Sequence, residues 1–93
     1  MFTYLNQQRV MSDKGFIVRN TGRFTAEYQE GSNKISIELE SGILPDGNFC
    51  DIIHLHAFHQ WDGGDNIPKE KQAEIMRNYI EAMQFQGIRV IIH

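Results

Sequence analysis

Between Lys34 and Glu40, apolar and polar side chains alternate without a break. Ile35, Ile37 and Leu39 fall on one side, and Ser36, Glu38 and Glu40 on the other. A period of two separates faces only in extended backbone, so this stretch reads as a strand with one dry and one wet face. Such a strand suits an antiparallel sheet, because parallel sheets are usually covered on both sides. Upstream, Arg23 to Gln29 repeats the pattern, with Phe24, Ala26 and Tyr28 inward and Thr25, Glu27 and Gln29 outward. Glu30-Gly31-Ser32-Asn33 supplies the turn between the two stretches. Before them, Phe16-Ile17-Val18-Arg19 is a short β-branched run, and Asn20-Thr21-Gly22 is the expected hairpin turn.

The second half changes period. Ser41 to Asn48 reads as a loop, and Phe49 to His59 as a further strand with apolar residues on both faces. Pro68 opens a helix, a position where its missing N–H costs nothing. Met76, Tyr79, Ile80 and Met83 recur at helical spacing, and Ile75 and Ala82 widen the stripe. Glu74, Arg77 and Glu81 are spaced for ion pairs along the outer side. Gly87 suits a left-handed helix cap, and Ile88 to Ile92 is apolar enough for a closing strand. A strand, helix and strand in this order favour a right-handed crossover if the flanking strands are parallel neighbours. The expected fold class is α+β: a single mostly antiparallel sheet of about five strands, with one long α-helix on one face and a C-terminal strand after it. At 93 residues the chain is one domain, 1–93, with one modest core.

Charge is distributed unevenly. Residues 24–66 carry Glu27, Glu30, Glu38, Glu40, Asp46, Asp51, Asp62 and Asp65 against Lys34 alone, whereas the segments on either side are net positive. An acidic block of this kind repels nucleic acid and favours a basic partner. Cys50 is the only cysteine, so no internal disulfide forms, and a buried strand thiol is the expectation. The N-terminal residues lack the pattern of a signal peptide, and no apolar run approaches a membrane span. The expected address is therefore cytoplasmic, with no membrane partner.

Three histidines, His54, His56 and His59, lie close together. On a strand, His54 and His56 would share a face while His59 pointed away, with His93 a distant fourth ligand. Zinc sites need three or four converging groups, so a small metal- or ligand-binding protein using the His54/His56/His59 cluster, with His54 and His56 as the metal ligands, stands as the alternative reading. No nucleophile elbow accompanies Cys50, and Glu38/Glu40 or Asp62/Asp65 lack an evident pocket for acid–base work. No enzyme activity and no cofactor are expected. Trp61, between His59 and Asp62-Gly63-Gly64-Asp65, has the character of an interface anchor or of a lid on the core edge.

The Gly15-Phe16-Ile17-Val18 strand, the Ile35-to-Glu40 strand, a strand ending in Trp61-Asp62, and a proline-initiated helix closing on Gly87-Ile88-Arg89-Val90 together resemble the immunity protein 74 family. That family is grouped with polymorphic-toxin and contact-dependent growth inhibition systems. The resemblance spans roughly residues 15–92 and implies a small α+β protein that neutralises a cognate toxin domain by binding it. It assigns no site residues, and His54 to His59 lie outside its pattern. Toxins that cleave RNA present basic clefts, which an acidic inhibitor can fill. The expected function is thus toxin inhibition, with a basic nuclease domain as partner. Glu27, Glu38, Glu40, Trp61, Asp62 and Asp65 are the candidate contacts. Self-association through free strand edges is a further expectation.

Overall fold

A computed structural model describes residues 1–6, 9–22 and 24–92, the side chain of Leu55 excepted. Arg23 and His93, which entered the sequence reading, lie outside the described residues. The described residues form eight strands and one long helix: β1 Phe2–Asn6, β2 Arg9–Ser12, β3 Phe16–Gly22, β4 Thr25–Glu30, β5 Asn33–Glu38, β6 Glu40–Ile43, β7 Phe49–Ile53, α1 Lys69–Phe85 and β8 Val90–Ile92. A 3-10 turn, Leu55–Phe58, lies between β7 and α1.

Strands β1 to β5 form a five-stranded antiparallel meander in chain order. This is the expected antiparallel sheet with its helix and C-terminal strand, and the class is α+β. The inner face of the meander carries Val10, Phe16, Val18, Ala26, Tyr28, Ile35 and Ile37, all essentially buried. Helix α1 supplies Ile75, Tyr79, Ala82 and Met83 to the same core, at the i, i+4, i+7, i+8 spacing of one helix face. Each fully buried large side chain of this set contributes about 1.5–3 kcal/mol of apolar transfer energy. Rings pack directly: Phe16 stacks on Tyr28 at 5.4 Å between centroids, and Phe58 lies 6.0 Å from Tyr79.

A polar chain ties helix to sheet. Tyr28 Oη donates to Glu30 (2.8 Å) and accepts from Asn78 Nδ2 (3.2 Å). Glu30 in turn pairs with Lys71 at 2.6 Å, and Lys71 reaches Glu74 at 2.8 Å. The Glu30 and Glu74 carboxylates hold the Lys71 ammonium above its ordinary pKa, and Lys71 holds Glu74 below its own. Burial drives the Tyr28 phenol far upward. The helix-spaced pairs expected of Arg77 do not form; Glu81 instead meets Lys14 at 3.5 Å. At its end the helix is closed by Gly87 at φ +78°, with Ile88 N–H donating to Met83 O (2.9 Å) and Gly87 N–H to Gln84 O (3.0 Å). That is the double bond set of a Schellman cap, which needs a left-handed residue at the glycine position.

The strands after Glu38 leave the meander. Strand β6 pairs antiparallel with β7, and β7 pairs parallel with β8 across the α1 crossover. They form a second, three-stranded sheet. Its inner side adds Ile53, Val90 and Ile92 to the common core. Cys50 is buried on β7, as expected.

Five details differ from the sequence reading. Residues 2–6 and 9–12 form two strands, β1 and β2, whose weak alternation gives no signal. Asn20, Thr21 and Gly22 belong to β3 rather than to a turn, and Gly22 has no positive φ. Phe24 is 49% exposed, so the inward register begins at Ala26. Glu38 and Glu40 lie in different sheets: Leu39 N–H still donates to Phe24 O (2.8 Å) in the β4–β5 register, and the next residue, Glu40, pairs with Ile52 of β7. Ser41 to Ile43, expected as loop, belongs to strand β6.

Candidate functional site

The strand expected over Phe49–His59 stops at Ile53, and this break creates the most distinctive surface of the molecule. After Ile53 the backbone coils into the 3-10 turn, where Phe58 is wholly buried and Ile67 nearly so. These two anchors hold residues 54–66 as a ridge along the outer strand β5. Ile67 N–H donates to His59 O (2.9 Å), Trp61 N–H to Asp65 O (2.9 Å), and Gly64 N–H to Trp61 O (2.9 Å). Gly64, at φ +102°, makes the tight return that the Asp62-Gly63-Gly64-Asp65 stretch requires.

The ridge is fastened to β5 by one residue. Asp62 N–H donates to Lys34 O at 2.8 Å. Its carboxylate accepts from Ser36 N–H at 2.9 Å and from the Ser36 hydroxyl at 2.7 Å. Strand edges left open invite pairing with other chains. Asp62 closes this one with two backbone hydrogen bonds and one side-chain hydrogen bond.

Between ridge and sheet runs an open groove of ≈ 830 Å³. Its floor is the outer face of β4 and β5, where Thr25 stands opposite Glu38 and Glu27 opposite Ser36. Its wall is the ridge, with His54, His56, His59, Gln60, Trp61 and Asp62. The volume lies within the usual range for sites that take a small ligand or a few side chains of a partner. Among the described residues the lining contains three carboxylates, Glu27, Glu38 and Asp62, and no lysine or arginine. Glu27 and Glu38 form no ion pair among the described residues, although Arg19 is the cross-strand neighbour of Glu27.

The structure therefore gathers four of the six candidate contacts, Glu27, Glu38, Trp61 and Asp62. Trp61 is half-buried, packing on the core edge and lining the groove at once. Glu40 lies outside, at the head of β6, with its Oε1 3.7 Å from His54 Nε2. Asp65 is exposed, does not line the groove, and contributes a backbone carbonyl to the turn. Thr21, Thr25, Ser36 and Gln60 line the groove and were not singled out from sequence; Thr25 and Ser36 occupy outward positions of the alternation that placed Glu27 and Glu38.

Two other members of the acidic block are committed elsewhere. Asp46 accepts from Arg89 at 2.8 Å, and this bond together with Asn48 N–H holds its carboxyl below the ordinary carboxylate range. Glu30 belongs to the Tyr28–Lys71 chain. Asp51 is half-buried on β7, and burial raises its pKa.

His54, His56 and His59 are exposed and line one groove, contrary to the opposite-face arrangement of a strand. His59 Nδ1 makes a short contact with the His56 carbonyl oxygen. Among the described residues no three His, Cys, Asp or Glu side chains converge as metal ligands. No described helix is long and apolar enough to cross a membrane. No family model matches the chain, and comparison with curated proteins and with solved structures finds no match.

Proposed function

We propose that this chain is a binding protein that receives a basic partner in the groove between β5 and the 54–66 ridge, in the manner of an immunity protein that neutralises a toxin domain. The observation that carries the reading is the composition of the groove. Two carboxylates without ion-pair partners among the described residues, Glu27 and Glu38, stand beside a half-buried tryptophan in a cleft whose described lining has no cation. Acidic clefts of this kind accelerate encounter with basic surfaces and fix their register. A half-buried tryptophan at the wall supplies the apolar anchor on which such interfaces concentrate their energy. Because Asp62 already occupies the β5 edge, the partner engages through side chains entering the groove rather than by adding a strand.

A nuclease-type toxin domain, which must hold phosphate, has the basic surface this groove suits. The test takes as candidate toxin the C-terminal domain of the protein encoded by the reading frame immediately upstream. Co-expression is expected to restore growth, and the Glu27→Lys/Glu38→Lys variant is expected to lose both protection and complex formation on a sizing column. Protection that survives the double charge reversal sinks the groove as the contact surface. Failure of the wild-type chain to protect or to bind sinks the inhibitor reading itself.

A further inference from the structure

Three of the four histidines in the chain line the same groove as Glu27, Glu38 and Asp62. We infer that His54, His56 and His59 form a proton gate on the groove: neutral, they leave its acidic charge intact for a basic ligand, and protonated, they cancel it. The inference rests on the basic-partner reading above and adds the condition under which the partner is released.

The charged groups facing the imidazoles can be named element by element. Strand β4 contributes Glu27, β5 contributes Glu38, and the ridge itself contributes Asp62. Glu40 at the head of β6 faces His54 alone, at 3.7 Å. Arg19 lies across β3 from Glu27, and Lys34 lends its carbonyl to the ridge; neither side chain lines the groove. The described lining thus balances three carboxylates against three imidazoles, so full protonation removes its net negative charge. The three do not act equally. A protonated His54 is drawn to Glu40 and acts least on the groove. His59 Nδ1 is engaged with His56 O, whereas its Nε2 has no hydrogen-bond partner among the described residues. His56 has no side-chain hydrogen bond to restrain it among the described residues.

Between neutral and mildly acidic pH, imidazole is the side chain whose charge changes, while carboxylates as a class titrate lower. A unit charge at roughly 8 Å in water alters the affinity for a charged ligand by about two- to threefold, so three such charges amount to about tenfold.

The probe is an N-acetylated, C-terminally amidated hexa-arginine peptide, whose only ionisable groups are guanidiniums that stay charged throughout, so any pH dependence belongs to the protein. Calorimetric titration is expected to show binding about tenfold weaker at pH ~5.5 than at pH ~8. The His54→Gln/His56→Gln/His59→Gln variant is expected to keep the affinity of the higher pH while its ratio shrinks to less than about twofold. His56→Gln and His59→Gln alone should each shrink the ratio by about two- to threefold, and they decide the matter if the triple variant does not fold. A ratio unchanged in these variants overturns the gate and leaves the groove reading standing. No binding at the higher pH, or binding that survives Glu27→Gln/Glu38→Gln, overturns the basic-ligand reading and the gate with it.

Discussion

Two buried phenols in this core make opposite predictions. Tyr28 and Tyr79 are both fully buried and of equal size, and both have their pKa driven far upward by burial. Tyr28 Oη is satisfied twice, by Glu30 at 2.8 Å and Asn78 at 3.2 Å. Tyr79 Oη has no hydrogen-bond partner among the described residues. Removing the hydroxyl of Tyr28 takes from Asn78, which is 7% exposed, its partner in the core and deprives Glu30 of one donor, Lys71 remaining on its other oxygen. A neutral hydrogen bond contributes about 0.5–1.5 kcal/mol net and one to a charged group about 1.5–3, so Tyr28→Phe should cost about 2–4 kcal/mol. Removing the hydroxyl of Tyr79 deletes a buried polar group that gains nothing from the fold. An unbonded hydroxyl costs about 1–3 kcal/mol to bury, so Tyr79→Phe should be neutral or stabilising by up to about that amount.

The assay is urea unfolding followed by circular dichroism, with the slope m compared among the three proteins so that a change of midpoint can be read as a change of stability. For a domain of this size each 1 kcal/mol corresponds to roughly 4–8 °C in Tm, so the two variants should separate widely in a thermal scan as well. Equal destabilisation by both substitutions would refute the reasoning, because it would require a partner for Tyr79 Oη that contributes as much as Glu30 and Asn78 together.

Three further predictions follow from single sites. Asp62→Ala removes the carboxylate that holds Ser36 and should loosen the ridge from β5; concentration-dependent self-association on a sizing column is the expected result, and an unchanged monomer profile contradicts it. Lys71 has its folded pKa raised and Glu74 has its lowered, so the pair contributes stability that is lost above the ordinary lysine pKa as pH rises, and below the ordinary glutamate pKa as pH falls; urea midpoints of Lys71→Met should be flatter than wild type at both extremes. A Cβ at Gly42 would stand 2.7 Å from Ile52 Cδ1 and 3.3 Å from Cys50 Sγ, so Gly42→Val should destabilise by about 1–3 kcal/mol in the same unfolding assay.

The parts of this fold legible in the sequence are those where one face alone is buried. Ile35, Ile37 and Leu39 alternate because β5 has a helix-covered side and a wet side, and that pattern placed Glu38 and Ser36 outward correctly. The helix was equally legible, from Pro68 at its entry to the cap at Gly87. Strands β1 and β2 were not, since Tyr4 and Met11 are exposed and Ser12 is buried, which scrambles the apolar period. The change of sheet after Leu39 was hidden for the opposite reason. The residue is apolar in the right register and its N–H still bonds to Phe24 O along the β4–β5 ladder; only at Glu40 does the chain change partner, to Ile52 of β7, and periodicity does not report the destination of a backbone hydrogen bond.

The same limit explains why the acidic residues and the histidines read as two rival sites. Over Phe49 to His59 the side chains fit an extended period, which places His54 and His56 on one face and His59 on the other. In the fold, Phe58 is wholly buried beside Tyr79, and the chain reaches it through a 3-10 turn rather than by continuing β7. A tertiary contact therefore overrides the local pattern, and the price of ending the β7–β8 ladder at Ile53 is offset by burying Phe58 and Ile67. Once the chain coils there, the residues that follow must pass alongside β5, and Asp62 takes the open edge they meet. His54, His56 and His59 are carried with the ridge to the rim of the face bearing Glu27 and Glu38. Had β7 continued to His59, the ridge would not exist and the acidic face would be a flat sheet surface. The groove thus depends on the anchoring of Phe58, so a substitution that empties its pocket, such as Phe58→Ala, should act on the acidic site and on the histidines together.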